Sequence, residues 1–344
     1  MKMRKIAAGL CAALSLGAAA SSAQAQEVVL KVAHFLPPVT PMHAQVIVPW
    51  CDRIETQSQG RMKCQIYPAM QLGGTPPQLL NQVRDGVADI VWTLPGYTPG
   101  RFPLSEVFEL PFISTTHEAT ARALWDFVET HGAKEFEGVK PIATWTNGPN
   151  VLNLRDRRVD TLEDFKGMKV RAPSRLGNKM LTALGATAVG MPVPQMTEAL
   201  SKGVIEAGLV AWEVVPATKT HELTRFHLES GGGRAMTTAT MIYVMNQKKY
   251  DSLPADLKKV IDDNSGRETS AWVAAEHLRA DTVGRNAAAA RGNTIYQLSP
   301  AESARWEAAA APVTAEWVRE ASEKGVDGRK LYEEARALVD KYSQ

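Results

Sequence analysis

Cysteine is scarce in this 344-residue chain, limited to Cys11, Cys51 and Cys64, and no two of them stand at the close spacing that zinc sites use. Charge of either sign is not in excess. The 39 basic and 37 acidic residues leave a net +2, too weak a field to favour a polyanion, so no nucleic acid partner is expected. A membrane-spanning run is also missing: Ile6 to Ala20 is too short to cross a bilayer comfortably, and no later stretch approaches the roughly 18 to 20 apolar residues required. The G-x-S-x-G elbow, the H-E-x-x-H pair and the dinucleotide fingerprint are all absent. Glu229 to Arg234 reads ESGGGR, but no Lys-Ser/Thr follows, so it is expected to be a crossover hinge rather than a phosphate cradle. His34 has no second ligand at a recognised spacing and reads as a hydrogen-bonded strand-end residue. Neither a metal nor a cofactor is expected, and no internal repeat or low-complexity tract is evident.

What is present begins with an export leader. Lys2, Arg4 and Lys5 precede the apolar run, and Ala23-Gln24-Ala25 is a cleavage site of the A-x-A kind, so residues 1–25 are read as a signal peptide. Leu10 before Cys11 argues against a lipid anchor. Loss of the three leader cations moves the formal charge from +2 to about −1, and the mature chain is expected to be soluble. Cys51 and Cys64 then face an oxidising compartment, either as a disulfide tying the first helix to the next strand or as two buried thiols.

Short apolar strands alternate with helical segments along the remaining length, which predicts an α/β chain of two domains. Strands are predicted at Val28 to His34, Met62 to Tyr67 and Asp89 to Trp92, with a helix from Met42 to Gln57 carrying Val46, Ile47, Trp50 and Ile54 on one face. The loops Phe35 to Pro41 and Thr93 to Phe102 both follow strand carboxyl ends, where α/β sheets hold ligands. Phe35, Trp92 and Tyr97 are therefore candidates for an aromatic wall, ordinary packing being the alternative. The cluster Asn147-Gly148-Pro149-Asn150 breaks the pattern and marks a first crossing between domains.

Thr161 to Glu213 then packs a strand–helix–strand series into little chain. Thr161 with Asp164 is a cap-like start, and Met168 to Arg171 is a strand stopped by Pro173. Arg171 thus stands at a strand end, where its planar fork could hold a carboxylate through two parallel hydrogen bonds, or simply pair with a surface glutamate. Met168, Met180, Met191 and Met196 read as core filling. Glu213 has two readings, as an acceptor for a hydroxyl or amine on a bound ligand or as a surface partner of Arg175 or Lys219, and the second is preferred because charged residues usually stay solvated. Pro254 to Arg291 has helical spacing without proline, roughly 57 Å if unbroken, with Gly266 and Gly284 as the places where it could break.

The runs FKGMKVRAPS and MLTALGATAVGMPVPQMTEALSKGVIEA resemble the signature region of the extracytoplasmic solute-binding proteins of tripartite ATP-independent periplasmic (TRAP) transporters, the DctP family. HFLPP, the Gly-Gly turn, DGVADI and PLSEVFELPFI resemble its amino-terminal part, so the likeness spans both halves of the chain. It implies the two-domain periplasmic binding protein fold with a hinged cleft and a long connecting helix. Domain I is expected over 26–148 plus 236–270, and domain II over 149–235 plus 271–344. It further implies a monomeric periplasmic receptor that hands a small organic acid to membrane permease subunits, with Arg171 as the carboxylate clamp. Sialic-acid-binding members carry an arginine where this chain has Val151, and asparagines at Ser174 and near Val210-Ala211. Those exchanges predict a ligand with one carboxylate and a less polar body, walled by Trp212 and Met191, with Ser174 in the turn and Asn150 or Asn153 adding a hydrogen bond. A dicarboxylate would call on a second cation, Arg101 or Arg175. The competing class is an exported two-domain α/β enzyme acting on a small organic acid.

Overall fold

A computed structural model describes residues 27–231 and 233–344; the expected leader and Cys11 lie outside them. The strands are β1 (Val28–Ala33), β2 (Met62–Tyr67), β3 (Ile90–Thr93), β4 (Val139–Thr146), β5 (Val151–Leu154), β6 (Lys169–Ala172), β7 (Thr187–Gly190), β8 (Ala207–Val210), β9 (Phe226–Glu229), β10 (Thr240–Asn246) and β11 (Thr294–Gln297). The helices are α1 (Val48–Gln57), α2 (Leu79–Arg84), α3 (His117–His131), α4 (Leu162–Phe165), α5 (Arg175–Ala183), α6 (Val193–Ser201), α7 (Thr220–Leu223), α8 (Gln247–Asp251), α9 (Ala255–Asp263), α10 (Arg267–Ala290), α11 (Pro300–Glu323) and α12 (Gly328–Tyr342).

These strands form two mixed sheets, and the α/β class predicted from the alternation is the one observed. The first runs β2-β1-β3-β10-β4 and the second β11-β9-β5-β8-β6-β7. In the first, β1 is parallel to β2 and β3, while β10 returns from late in the chain to lie antiparallel between β3 and β4. Strands β3, β5, β8 and β10 are buried along their whole length, as expected where helices cover both faces of a sheet. Their near-continuous apolar sequence is the cause.

Several local choices trace to single residues. Pro49 has no N–H to give, and the turn before it, Met42–Ile47, is π-helical, with Val48 N–H reaching back to His43 O. Cys51 and Cys64 form a disulfide with their Cα atoms 5.7 Å apart, which resolves the two readings in favour of the bond and ties α1 to β2. Thr161 and Asp164 make a reciprocal capping box at α4. Met168, Met180 and Met196 are buried core residues, as read, while Met191 is half-buried.

The helical run expected from Pro254 to Arg291 is not continuous. It breaks at Asn264-Ser265-Gly266, where Gly266 takes φ +108, a conformation that favours glycine, and α10 starts afresh as a 24-residue helix. Gly284, the other suspected break, stays helical. A Cβ there would stand 1.9 Å from the Trp212 carbonyl oxygen, so glycine is what lets α10 lie against the turn after β8. The same helix packs on α3 and β4 of the first sheet's layer, so it is in contact with both layers. The last helix, α12, packs against α3.

Candidate functional site

Five loops converge at the carboxyl ends of strands. Phe35 and Leu36 follow β1, Trp92 and Leu94 belong to the end of β3, Asn147 and Asn150 follow β4, Arg171 and Pro173 end β6, and Val210 with Glu213 ends β8. Together with Tyr97, Met42, Val193, Val214, Met241 and His277 they enclose a small cavity of about 40 Å³ between the two sheets. That position, in the crevice beyond strand ends, is the usual ligand position in α/β folds.

Arg171 is the cavity's charged residue of chief interest, and it is 1% exposed. Its Nε donates to the Met191 carbonyl at 2.9 Å and its Nη1 to the Leu209 carbonyl at 2.7 Å. These bonds hold the fork rigid. Nη2 has no partner. Burial pulls the guanidinium down from its ordinary range, and Tyr97 acts against that pull; no carboxylate contributes. A buried cation with one open donor and no counter-ion is costly to maintain, and an anion in the cavity would relieve the cost. Two other donors are also left open: Asn150 Nδ2 and Trp92 Nε1 are buried and unpaired on the same lining. Asn150 is oriented by Asn147, whose Nδ2 donates to the Asn150 Oδ1 at 2.9 Å. Three N–H groups without acceptors describe a place for an acceptor-rich group such as a carboxylate.

The apolar wall is aromatic. Phe35 lies 4.7 Å from Trp92 and 5.5 Å from Tyr97, centroid to centroid, the second pair edge-on. The Tyr97 hydroxyl accepts from Val193 N–H at 3.1 Å, which joins the loop after β3 to the start of α6 in the other sheet's layer. His34 is hydrogen-bonded at its strand end, as read: its Nε2 and the His43 Nδ1 are 2.8 Å apart.

The other expected residues stand elsewhere. Trp212 points away from the cavity: its indole donates to Glu229 Oε1 at 3.0 Å and its ring lies on His227. Ser174 caps α5 by accepting from Gly177 N–H, and with Met191 it lines an open groove that adjoins the cavity and shares Tyr97 and Pro173 with it. Asn153 is saturated, its amide donating to the carbonyl of Val151 at 2.9 Å and its oxygen paired with His227. Of the two asparagines considered, Asn150 is the one on the lining. Arg175 pairs with Glu106 and Glu320. The surface reading of Glu213 fails: it is 6% exposed and faces His277 and Asp281, not Arg175 or Lys219. His277 was not singled out by the sequence. The available signal was His277 and Asp281 one turn apart among the small residues of α10.

The DctP family model, bacterial extracellular solute-binding protein family 7, matches residues 32–321. A TRAP solute-binding protein of Rhodoferax ferrireducens, solved with copurified benzoate, is 46% identical and superposes with a TM-score of 0.90, covering 92% of this chain and 98% of its own. A TRAP solute-binding protein of an unidentified marine microbe, specific for aromatic acid ligands and solved with metahydroxyphenylacetate, is 43% identical with a TM-score of 0.91, over 92% of this chain and 100% of that one. The outer membrane transporter protein TsaT of Comamonas testosteroni is 28% identical over 330 residues, 95% of this chain and 96% of that protein.

Proposed function

The chain belongs to family 7 of the bacterial extracellular solute-binding proteins, the DctP family of TRAP receptors, which bind rather than transform their ligands, and we propose that its solute is a small aromatic monocarboxylate held by Arg171. The observation that carries this reading is the buried guanidinium whose Nη2 has no partner within the protein. Phe35, Trp92 and Tyr97 supply an apolar face for a ring, and Asn150 and Trp92 supply further donors for the carboxylate. Benzoate and hydroxylated aromatic acids in the two similar proteins fit that chemistry.

In this reading the receptor works in the periplasm and delivers its solute to the membrane permease subunits of a TRAP transporter. Among the described residues no helix is long and apolar enough to cross a membrane. The two lobes are 26–148 with 236–270 and 149–235 with 271–344, and α12 reaches back from the second onto α3 of the first. Closure of one lobe on the other sequesters the acid, since the lining residues come from both sheets.

Calorimetry with benzoate tests the anchor. Arg171→Ala should cost about 2 to 5 kcal/mol of binding free energy, as for truncation of one partner of a buried charge pair. Unchanged affinity in a variant with wild-type circular dichroism would overturn the assignment. A thermal-shift screen sets the solute class, because ligand at 100 times its Kd adds about 2.7 kcal/mol of stability. Aliphatic dicarboxylates stabilising the protein more than aromatic acids would count against the proposal.

A further inference from the structure

Resting on Arg171 as the anchor, the geometry points to Glu213 and His277 as a second, uncharged subsite in the same cavity, which takes a hydroxyl group borne by the body of the acid. Both residues line the cavity with Arg171, and their side chains are 7% and 1% exposed. Glu213 Oε2 and both ring nitrogens of His277 have no hydrogen-bond partner, and the nearest approach between the two side chains, Oε1 to Nδ1, is 3.7 Å, too long for a hydrogen bond. Buried polar atoms left open in this way are costly, and together they describe a missing group that both donates and accepts.

The surroundings decide the charge of that group. Asp281 lies one turn beyond His277 on α10, its Oδ2 with His117 Nε2 at 2.8 Å and its Oδ1 accepting Glu213 N–H at 2.7 Å. Burial, then the charge of the neighbouring Asp281 and a hydrogen bond to its side chain, hold the Glu213 carboxyl well above the usual carboxylate range, so it keeps its proton and Oε2 is left to meet a ligand. Burial brings His277 down to about 4, so its ring stays neutral. Trp145, edge-on to His277 with centroids 5.7 Å apart, holds the imidazole in place. Among the described residues no lysine or arginine pairs with Glu213, although Arg171 lines the same space. A neutral carboxylic acid offers one donor and one acceptor, and a neutral imidazole offers one of each. A hydroxyl matches both. A second carboxylate would bring its charge next to Asp281 with no cation to meet it, so the subsite also discriminates against dicarboxylates.

The test is calorimetry on the whole mature chain at pH 7 with benzoate, 3-hydroxybenzoate, 4-hydroxybenzoate and isophthalate. Wild type should prefer at least one hydroxybenzoate over benzoate by about tenfold or more, and should bind isophthalate more weakly than either. Glu213→Leu should collapse the ratio of hydroxybenzoate to benzoate affinity towards one, whereas Glu213→Gln, neutral and still able to donate and accept, should retain most of it. His277→Phe, which keeps a flat ring against Trp145, should collapse the ratio as well and stands in if Glu213→Leu does not fold. A wild type without hydroxyl preference, or a ratio unmoved by both Glu213→Leu and His277→Phe, overturns the subsite, as does isophthalate binding as tightly as hydroxybenzoate. If Arg171→Ala then still abolishes binding of every acid, only the subsite has fallen. If wild type binds none of the four acids, the anchor has fallen with it.

Discussion

Glu109 shows how a single buried side chain near the cleft can set the response of this protein to pH. It ends the short turn Ser105–Glu109, is 2% exposed, and accepts Thr240 N–H at 2.9 Å. Burial, the largest influence, raises its pKa to about 7, with hydrogen bonds from Ser174 and Thr240 opposing. In the unfolded chain the same carboxyl ionises near 4.5. The folded state therefore binds the extra proton between those two values, and the stability associated with it is present below about pH 4.5 and lost as pH rises through 7. Glu109→Gln cannot ionise and escapes that loss. Urea denaturation at pH 5 and pH 8 should show the Gln variant gaining on wild type by about 2 to 3 kcal/mol across the interval, at roughly 1.4 kcal/mol per unit of pKa difference. A difference independent of pH would refute the account.

At the scale of elements, the turn after β8 and helix α10 fit through a glycine. Glycine in a helix interior costs about 1 kcal/mol relative to alanine, and α10 is otherwise rich in alanine. Gly284 stands there because the Trp212 carbonyl comes where a Cβ would be. Gly284→Ala gains helix propensity, yet it should destabilise the protein by about 1 to 3 kcal/mol, since the backbone of the turn must shift to admit the methyl group. The denaturation midpoint checks this. An increase in stability would mean that the turn yields freely. Because the turn also carries Glu213, the same variant should disturb the hydroxyl subsite before the Arg171 anchor, which β6 holds independently.

The whole molecule depends on the two sheets' layers approaching one another. Gly96, in the loop after β3, would place a Cβ 2.6 Å from the Ser174 Cβ in the turn after β6. Arg175 reaches across beside it to Glu106 and also binds Glu320. The Gly96–Ser174 and Arg175–Glu106 contacts join residues far apart in sequence, and in the proposed receptor these two exist only when the lobes are together. Gly96→Val should hold the lobes apart, with solute affinity lower by on the order of tenfold while the denaturation midpoint of the free protein stays close to wild type. Small-angle scattering gives the second reading: benzoate should contract wild type and leave the variant unchanged. Equal contraction in both would remove Gly96 from the closing contact.

Hydrophobic periodicity and turn residues by themselves determined the α/β class, the position of β6 with Arg171 at its end, and the loops that hold Phe35, Trp92 and Tyr97, because each depends only on neighbours in the chain. The resemblance of FKGMKVRAPS and its sequel to the DctP family added the solute-binding class. Tertiary structure alone decided which candidates turn inward. Trp212 and Glu213 are adjacent, and a turn rotated by one residue sends the indole to Glu229 and the carboxyl to the cavity. Asn150 and Asn153 differ in whether β8 and His227 consume their amide groups. His277 arrives from more than a hundred residues beyond Arg171; burial keeps it neutral against the pull of Asp281, and burial beside Asp281 keeps Glu213 neutral. Local sequence can specify where a strand stops. Which side chains lose water, and which charges they then face, is settled only when the second sheet closes over the first.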